Sequence, residues 1–260
     1  MTKTKIPWTE RTWNPMHGCV KWSEGCKNCY AEVMAKRLQG MGVPTYEEGF
    51  RPTINPNALD EPKRIKKPTM FFVCSMGDLF FNNIPFDYID RVMKVIEECP
   101  QHTFQILTKR DLRMYDYFET HRHGNVPKNV WLGVSVENDL ACARAITLGS
   151  IRHATVRFLS CEPLLGQLDW LRTILDNENI DWIICGGESG PKARPMSKEW
   201  VLHLKHLCDS KSIPFFFKQW GTWGEDGVKC NAKANGCSID GQTYQSWPKA
   251  WKGGEHGETD

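Results

Sequence analysis

The sequence predicts an α/β protein built as a partial (β/α) barrel of about six to seven parallel strands, with a short irregular C-terminal extension. Three observations support this. Apolar runs of strand length alternate with segments of helical periodicity, the order that gives βα units and a parallel sheet. Nearly every apolar run ends in polar, chemically capable residues, as where barrel strands build a site at their carboxyl ends. The alternation holds to about Gly221 and then stops. Residues 1–221 are therefore expected to form the barrel, and residues 222–260 an irregular cap or tail. An open doubly wound sheet would use the same elements in another order.

Met1–Met16 is polar and aromatic, and Thr12–Asn14 is expected as a short strand feeding a cysteine-bearing loop. Tyr30–Leu38 follows as a helix with Val33, Met34 and Leu38 on one side, ended by Gly40 and Gly42. Val43–Lys67 contains Pro44, Pro52, Pro56 and Pro62 and reads as an irregular connection. It closes on Lys63, Arg64, Lys66 and Lys67, either a solvated face or a phosphate-contacting patch. Thr69–Cys74 is the next strand, and Phe86–Glu98 its helix, with Ile89, Val92, Met93 and Ile96 at helical spacing. Thr103–Leu107, Val130–Val136, Val156–Leu159, Ile180–Cys185 and Ile213–Phe217 are the later strands. Asp111–Thr120, Asp139–Leu148, Leu168–Leu175 and Ser197–Cys208 are the helices between them. Ser197 is the expected N-cap of the last, whose apolar side is Trp200, Val201 and Leu204. The tail from Gly221 is rich in Gly, Lys and Trp. It is expected as a loose cap over the barrel mouth, disordered from about Gly253.

The polar strand ends are Ser75 and Asp78; Thr108 and Lys109; Ser135, Glu137 and Asn138; Ser160 and Glu162; Glu188 and Ser189; Lys218 and Gln219. In a barrel these would share one face with the cysteine loop. Polar loops after strands are also common without any chemistry.

Composition narrows the function classes. At 260 residues the chain is long enough for one large domain, and its 40% apolar and 25% charged content is ordinary for a globular protein. The formal charge of +2 supplies no whole-chain basic field, so nucleic-acid binding would need a local patch. No apolar run reaches the length of a membrane span. The start, MTKTKIPWTERTW, has no apolar h-region, so a cytoplasmic location is expected. The 11 cysteines are an odd number, and Cys74, Cys161 and Cys185 lie in apolar runs, which suits buried thiols in a reducing compartment.

The most specific stretch is CVKWSEGCKNCY, in which Cys19, Cys26 and Cys29 are spaced C-x6-C-x2-C. Gly18 and Gly25 precede two of them and allow tight turns that aim several sulfurs at one point. Three thiolates on one loop suit a metal or an iron–sulfur cluster. A structural zinc site needs a fourth ligand, and His17 is the spare one nearby. No second C-x-x-C completes a four-cysteine set. A colourless, zinc-stabilised nucleic-acid-binding module is therefore the competing class.

These residues resemble the radical S-adenosylmethionine superfamily, in which a cysteine triplet with a terminal C-x-x-C follows the first strand of a βα barrel. The usual spacing there is C-x3-C-x2-C, so the first gap of six is a departure. TWNPMHGCVKWSEGCKNCYA, FLSCEPLLG, GGESGPKARPM and PFFFKQWG together resemble a phage-borne family of radical-SAM-like proteins, over about Trp13 to Gly221. The resemblance implies a 4Fe–4S cluster on Cys19, Cys26 and Cys29, with S-adenosylmethionine chelating the open iron and yielding a 5′-deoxyadenosyl radical. It places Ser75-Met76-Gly77-Asp78 where the superfamily holds the methionyl amino group, with Asp78 as acceptor and Ser75 and Gly77 beside it. Ser135 and Glu137 become ribose or carboxylate contacts, and Tyr30 packs on the adenine or the cluster. Glu162, Lys218 and Glu188 are the substrate-side or catalytic candidates. A structural Glu162–Lys218 pair, and a tight turn at Gly186-Gly187-Glu188, are the plainer readings.

Phage context implies modified DNA as substrate, an electron donor such as flavodoxin, and the host cytoplasm as location. The specific expectation is isomerisation of an N-linked glycyl-thymidine to a carbon-linked form, initiated at the glycyl α-carbon. Lys63–Lys67 and Lys109-Arg110 would contact phosphates, and a base in duplex DNA would be flipped to reach the mouth. An RNA base, a lesion or a peptide are the other substrates of the same chemistry.

Overall fold

In the computed structural model, which describes residues 4–251, seven strands form one all-parallel sheet. They are β1 (Arg11–Trp13), β2 (Met70–Val73), β3 (Thr103–Thr108), β4 (Val130–Ser135), β5 (Val156–Cys161), β6 (Trp182–Gly186) and β7 (Phe215–Gln219). The principal helices are α1 (Tyr30–Gly40), α2 (Phe86–Glu97), α3 (Asp111–Tyr115), α4 (Ala143–Gly149), α5 (Leu171–Leu175) and α6 (Lys198–Lys211). Spatial order follows chain order from β1 to β7. Each crossover thus advances one place in one direction, and no switch point exists. This excludes the doubly wound arrangement and sends the crossover helices to one face, as a partial barrel requires.

Alternation along each strand sorts the side chains. Val130, Leu132, Val134, Leu159, Ile183 and Phe217 face outward into a core shared with Ile89, Val92, Met93, Val201 and Leu204 of α2 and α6. Trp131, Phe158, Trp182, Ile184 and Phe216 face inward and form a second apolar cluster with Trp8, Met70 and Phe72. Gly133 belongs to this inner row, where a Cβ would stand 2.4 Å from the Phe158 ring. The next inward residues toward the carboxyl ends are Ser135, Glu137, Ser160, Glu162 and Lys218, so the interior is an apolar floor under a polar mouth.

Three local expectations need correction. The buried residues of α1 are Ala31 and Ala35; Val33 and Met34 are 65% and 41% exposed, and Leu38 is only partly buried. The helix approaches Met76 through its small side chains, so the larger ones are left outside. Lys63 is paired with Asp60 at 2.7 Å and Glu98 at 2.6 Å. Its loop docks through Pro62 and Ile65 on His102, beside the start of β3, so this basic group lies at the end of the sheet opposite the cysteine loop. Arg110 is 5% exposed and folds inward, so it is not a surface phosphate contact.

The tail takes two places: Thr222, Trp223 and Lys229 bond to residues 188–193 after β6, at the mouth end, and the chain then runs to the opposite end of the sheet. Residues 244–246 pair with the open edge of β7, and Trp247 stacks on Trp182 with ring centroids 5.0 Å apart. Trp251 stacks in turn on Trp247 at 4.7 Å. A partial barrel leaves apolar floor and a strand edge uncovered, and the Trp-rich tail covers both. A short helix, α7 (Ala232–Asn235), and a two-residue hairpin precede this segment. The stretch expected to be disordered from Gly253 lies outside the described residues. Among the described residues no helix is long and apolar enough to cross a membrane.

Candidate active site

The chain leaves β1 through Asn14-Pro15 and crosses close behind β2. Gly18 adopts φ +79° and a Cβ there would meet the Arg51 carbonyl at 2.2 Å; one on Gly77 would meet Met16 Sδ at 2.6 Å. The two glycines lie side by side in a parallel bridge, with Gly18 N–H donating to the Met76 carbonyl at 2.8 Å. Asn14 Oδ1 accepts from Ser75 Oγ and Met76 N, both at 3.2 Å. Ser75 and Gly77 thereby fix the height at which the cysteine loop leaves the sheet.

From there the loop is fastened to strand ends on several sides. Glu137, completely buried after β4, accepts from Ser23 Oγ, from Gly25 N–H at 3.4 Å and from Arg144 at 2.9 Å. Burial pushes its carboxyl pKa up, but Lys109, Arg144 and Ser23 outweigh this and hold it below the usual range. Glu188, after β6, accepts from Asn28 Nδ2 at 2.9 Å and from Arg194, whose NH2 group lies 2.6 Å away. Burial again acts upward, and the Arg194 and Asn28 hydrogen bonds bring this carboxyl down. Arg194 also donates to the Glu24 carbonyl at 3.1 Å. Both glutamates expected at the cofactor or substrate thus brace the loop.

Asp78 is equally engaged. Its Oδ1 accepts from Thr108 Oγ1 at 2.7 Å and Phe80 N–H at 3.0 Å, and its Oδ2 from Lys109 N–H at 3.3 Å and Arg110 at 3.1 Å. Arg110 continues to the cysteine loop, reaching Cys19 Sγ at 3.5 Å and the Val20 carbonyl at 3.1 Å.

Cys19, Cys26 and Cys29 are unpaired and partly exposed, whereas Cys74, Cys99, Cys142, Cys161, Cys185 and Cys208 are buried thiols. Burial and Asp78 push Cys19 up to about 11, against the opposing pull of Arg110. Three free thiols on one braced loop are the kind of donor set a three-cysteine cluster takes. Among the described residues no three His, Cys, Asp or Glu side chains form a ready-made metal cage. His17 is buried against Tyr46, with ring centroids 4.8 Å apart, and its Nδ1 has no partner.

The other expected residues lie around the same mouth. The Tyr30 ring is half exposed, but its hydroxyl donates to the Ser75 carbonyl and is enclosed enough for burial, with Cys29 and Glu162 nearby, to raise its pKa. Ser135 stands beside Ser160 in register, its carbonyl accepting from Arg144 at 2.7 Å. Lys218 Nζ donates to Glu162 Oε2 at 2.7 Å, while the buried Glu162 Oε1 has no partner. Gly186 keeps the space between them open, since a Cβ there would lie 3.4 Å from Glu162 Cγ and 3.5 Å from Lys218 Cβ. Of the cations that fasten the loop, Arg144 and Arg194 were not singled out by sequence, and Arg110 was expected only as a phosphate contact.

The model of a family described as "Protein of unknown function (DUF5131)" matches residues 3–248. No curated protein matches the chain. Among solved structures, the chain is similar to spore photoproduct lyase complexed with dinucleoside spore photoproduct, at 12% identity and a TM-score of 0.47, covering 81% of this chain and 62% of that one. A mutant of that enzyme with bound AdoMet and dinucleoside spore photoproduct gives 13% identity and a TM-score of 0.44 over the same shares. The chain therefore spans less than two thirds of the length of these structures.

Proposed function

The chain belongs to the DUF5131 family, and from that premise we propose that it is a radical S-adenosylmethionine enzyme acting on nucleic acid. One observation carries the reading. A loop with three unpaired, partly exposed cysteines is clamped over the carboxyl mouth of a parallel partial barrel, while the barrel's own cysteines are buried. Cys19, Cys26 and Cys29 would hold a 4Fe–4S cluster with one iron left for S-adenosylmethionine. Together they would supply reductively generated radical chemistry, with electrons from a donor such as flavodoxin.

The chain's own residues then divide the work. Glu137, Glu188 and Arg194 hold the loop in place. Tyr30, Ser75, Gly77, Ser135 and Ser160 shape the cofactor side of the mouth. Glu162 and Lys218 face the interior as a charged pair with one carboxylate oxygen unpartnered, which suits a substrate N–H. The apolar floor of Trp131, Phe158 and Trp182 closes the mouth from below and excludes water.

The specific reaction proposed is isomerisation of N-linked glycyl-thymidine in DNA to its carbon-linked form; the competing substrates are an RNA base, a lesion or a peptide. The test is anaerobic purification with iron and sulfide analysis, and electron paramagnetic resonance of the reduced protein with and without S-adenosylmethionine. A signal that shifts on adding the cofactor is expected; a colourless zinc protein would overturn the reading. Incubation with glycyl-thymidine DNA should then leave its mass unchanged but convert the adduct chromatographically, and an unaltered adduct would remove this substrate.

A further inference from the structure

Arg110 has a placement that bracing the loop does not require. It leaves the carboxyl end of β3 and turns inward, its side chain 4% exposed. Asp78, itself held by Thr108, Phe80 N–H and Lys109 N–H, anchors one edge of the guanidinium at 3.1 Å. The Val20 carbonyl takes NH2 at 3.1 Å. The Trp22 and Phe81 rings pack on the guanidinium, with centroids 5.3 and 4.9 Å from Cζ. With carboxylate, carbonyl and two rings fixing it, the guanidinium cannot swing away, and NH1 is left directed at Cys19 Sγ, 3.5 Å away. A planar fork is needed to serve these acceptors at once, which an ammonium would not do. Among the described residues no comparable cation contact is made by Cys26 or Cys29.

We propose that Arg110 is a positioning residue that fixes the Cys19 sulfur in place and raises the electron affinity of the iron it binds. This rests on the cluster reading above. A hydrogen bond and a fixed positive charge on a ligating sulfur both withdraw electron density, which raises a cluster's reduction potential. The Thr108–Asp78–Arg110–Cys19 chain thus links the ends of β2 and β3 to one particular sulfur.

The test uses the full chain in four forms: wild type, Arg110→Lys, Arg110→Gln, and the double variant Asp78→Asn/Arg110→Gln, which avoids an unpaired buried carboxylate. Two measurements are made. In anaerobically reconstituted protein, the midpoint potential is read by paramagnetic resonance. In metal-free protein, iodoacetamide labelling of Cys19 is compared with that of Cys26 and Cys29 by peptide mass. At unchanged iron content, Arg110→Gln and the double variant should shift the potential to more negative values, with Arg110→Lys between them and wild type. Labelling of Cys19 alone should quicken in the same two variants, its sulfur no longer being held by the guanidinium. Equal potentials at equal iron content would overturn the proposal. If the wild type takes no cluster, labelling decides: faster Cys19 labelling in the variants keeps the role of Arg110 while the cluster reading falls, and unchanged labelling overturns the role as well.

Discussion

Arg144 and Glu137 form an ion pair 2.9 Å long beneath the cysteine loop, with Glu137 fully enclosed and Arg144 only 11% exposed. The same carboxylate takes hydrogen bonds from Ser23 and Gly25, so one buried anion joins α4, the end of β4 and the loop. Glu137→Gln would leave the Arg144 charge without its partner. Breaking a buried pair from one side costs about 3–5 kcal/mol. The expected result is a lower urea midpoint together with faster alkylation of Cys26, measured on the metal-free protein.

Arg194 holds the other flank, through Glu188 and the Glu24 carbonyl. Its contacts are less buried than those of Glu137, so Arg194→Ala should loosen the loop while lowering global stability by only about 1–2 kcal/mol. Hydrogen exchange should rise over residues 22–29 with little change in the strands. Equal exchange in both would contradict the bracing role.

Acid should release both clamps. Glu137 and Glu188 have folded-state pKa values below their ordinary one, despite the upward push of burial, because Arg144, Lys109 and Arg194 oppose it. A depressed pKa contributes stability that is fully present above the unfolded value of about 4.3 and is lost as pH falls through the folded value. Urea midpoints should therefore fall as pH drops below about 4. The fall should be smaller in the Glu137→Gln/Glu188→Gln variant.

The floor is testable separately. Gly133→Ala places a methyl 2.4 Å from the Phe158 ring, and overpacking of this kind costs about 1–3 kcal/mol. Trp247→Ala uncovers Trp182 and Phe216, and because Trp247 is only partly buried the loss should fall below the about 3–5 kcal/mol of a fully buried Trp. Calorimetry should show both as lower melting temperatures, with Cys19 labelling unaltered.

The strands were legible because a parallel strand covered on both faces reads as an unbroken apolar run, as in TMFFVC and IDWIIC. The cysteine loop stands out in the sequence by its spacing alone, and its three thiols are unpaired and partly exposed in the fold. The arginines were not legible, since an Arg after a strand looks the same whether it meets water or folds inward. Arg110 acquires its meaning from Asp78, 32 residues away, and from Cys19, 91 residues away. The α1 face was misread because Ala31 and Ala35 offer less hydrophobic signal than Val33 and Met34, yet only small side chains permit the close approach. The tail has no periodicity to read, because its tryptophans answer the shape of a floor made by other strands.

That arrangement also orders events during synthesis. Ser246, Trp247 and Trp251 complete the barrel floor and are made after all seven strands. A nascent chain halted before them carries an open β7 edge and bare Trp182 and Phe216. The cysteine loop, by contrast, emerges early and then waits for β4 and β6 to supply its braces. Loading of any metal is thereby placed after β6 and Arg194 have been made, and stalled chains become natural clients for chaperones that recognise exposed aromatic surface.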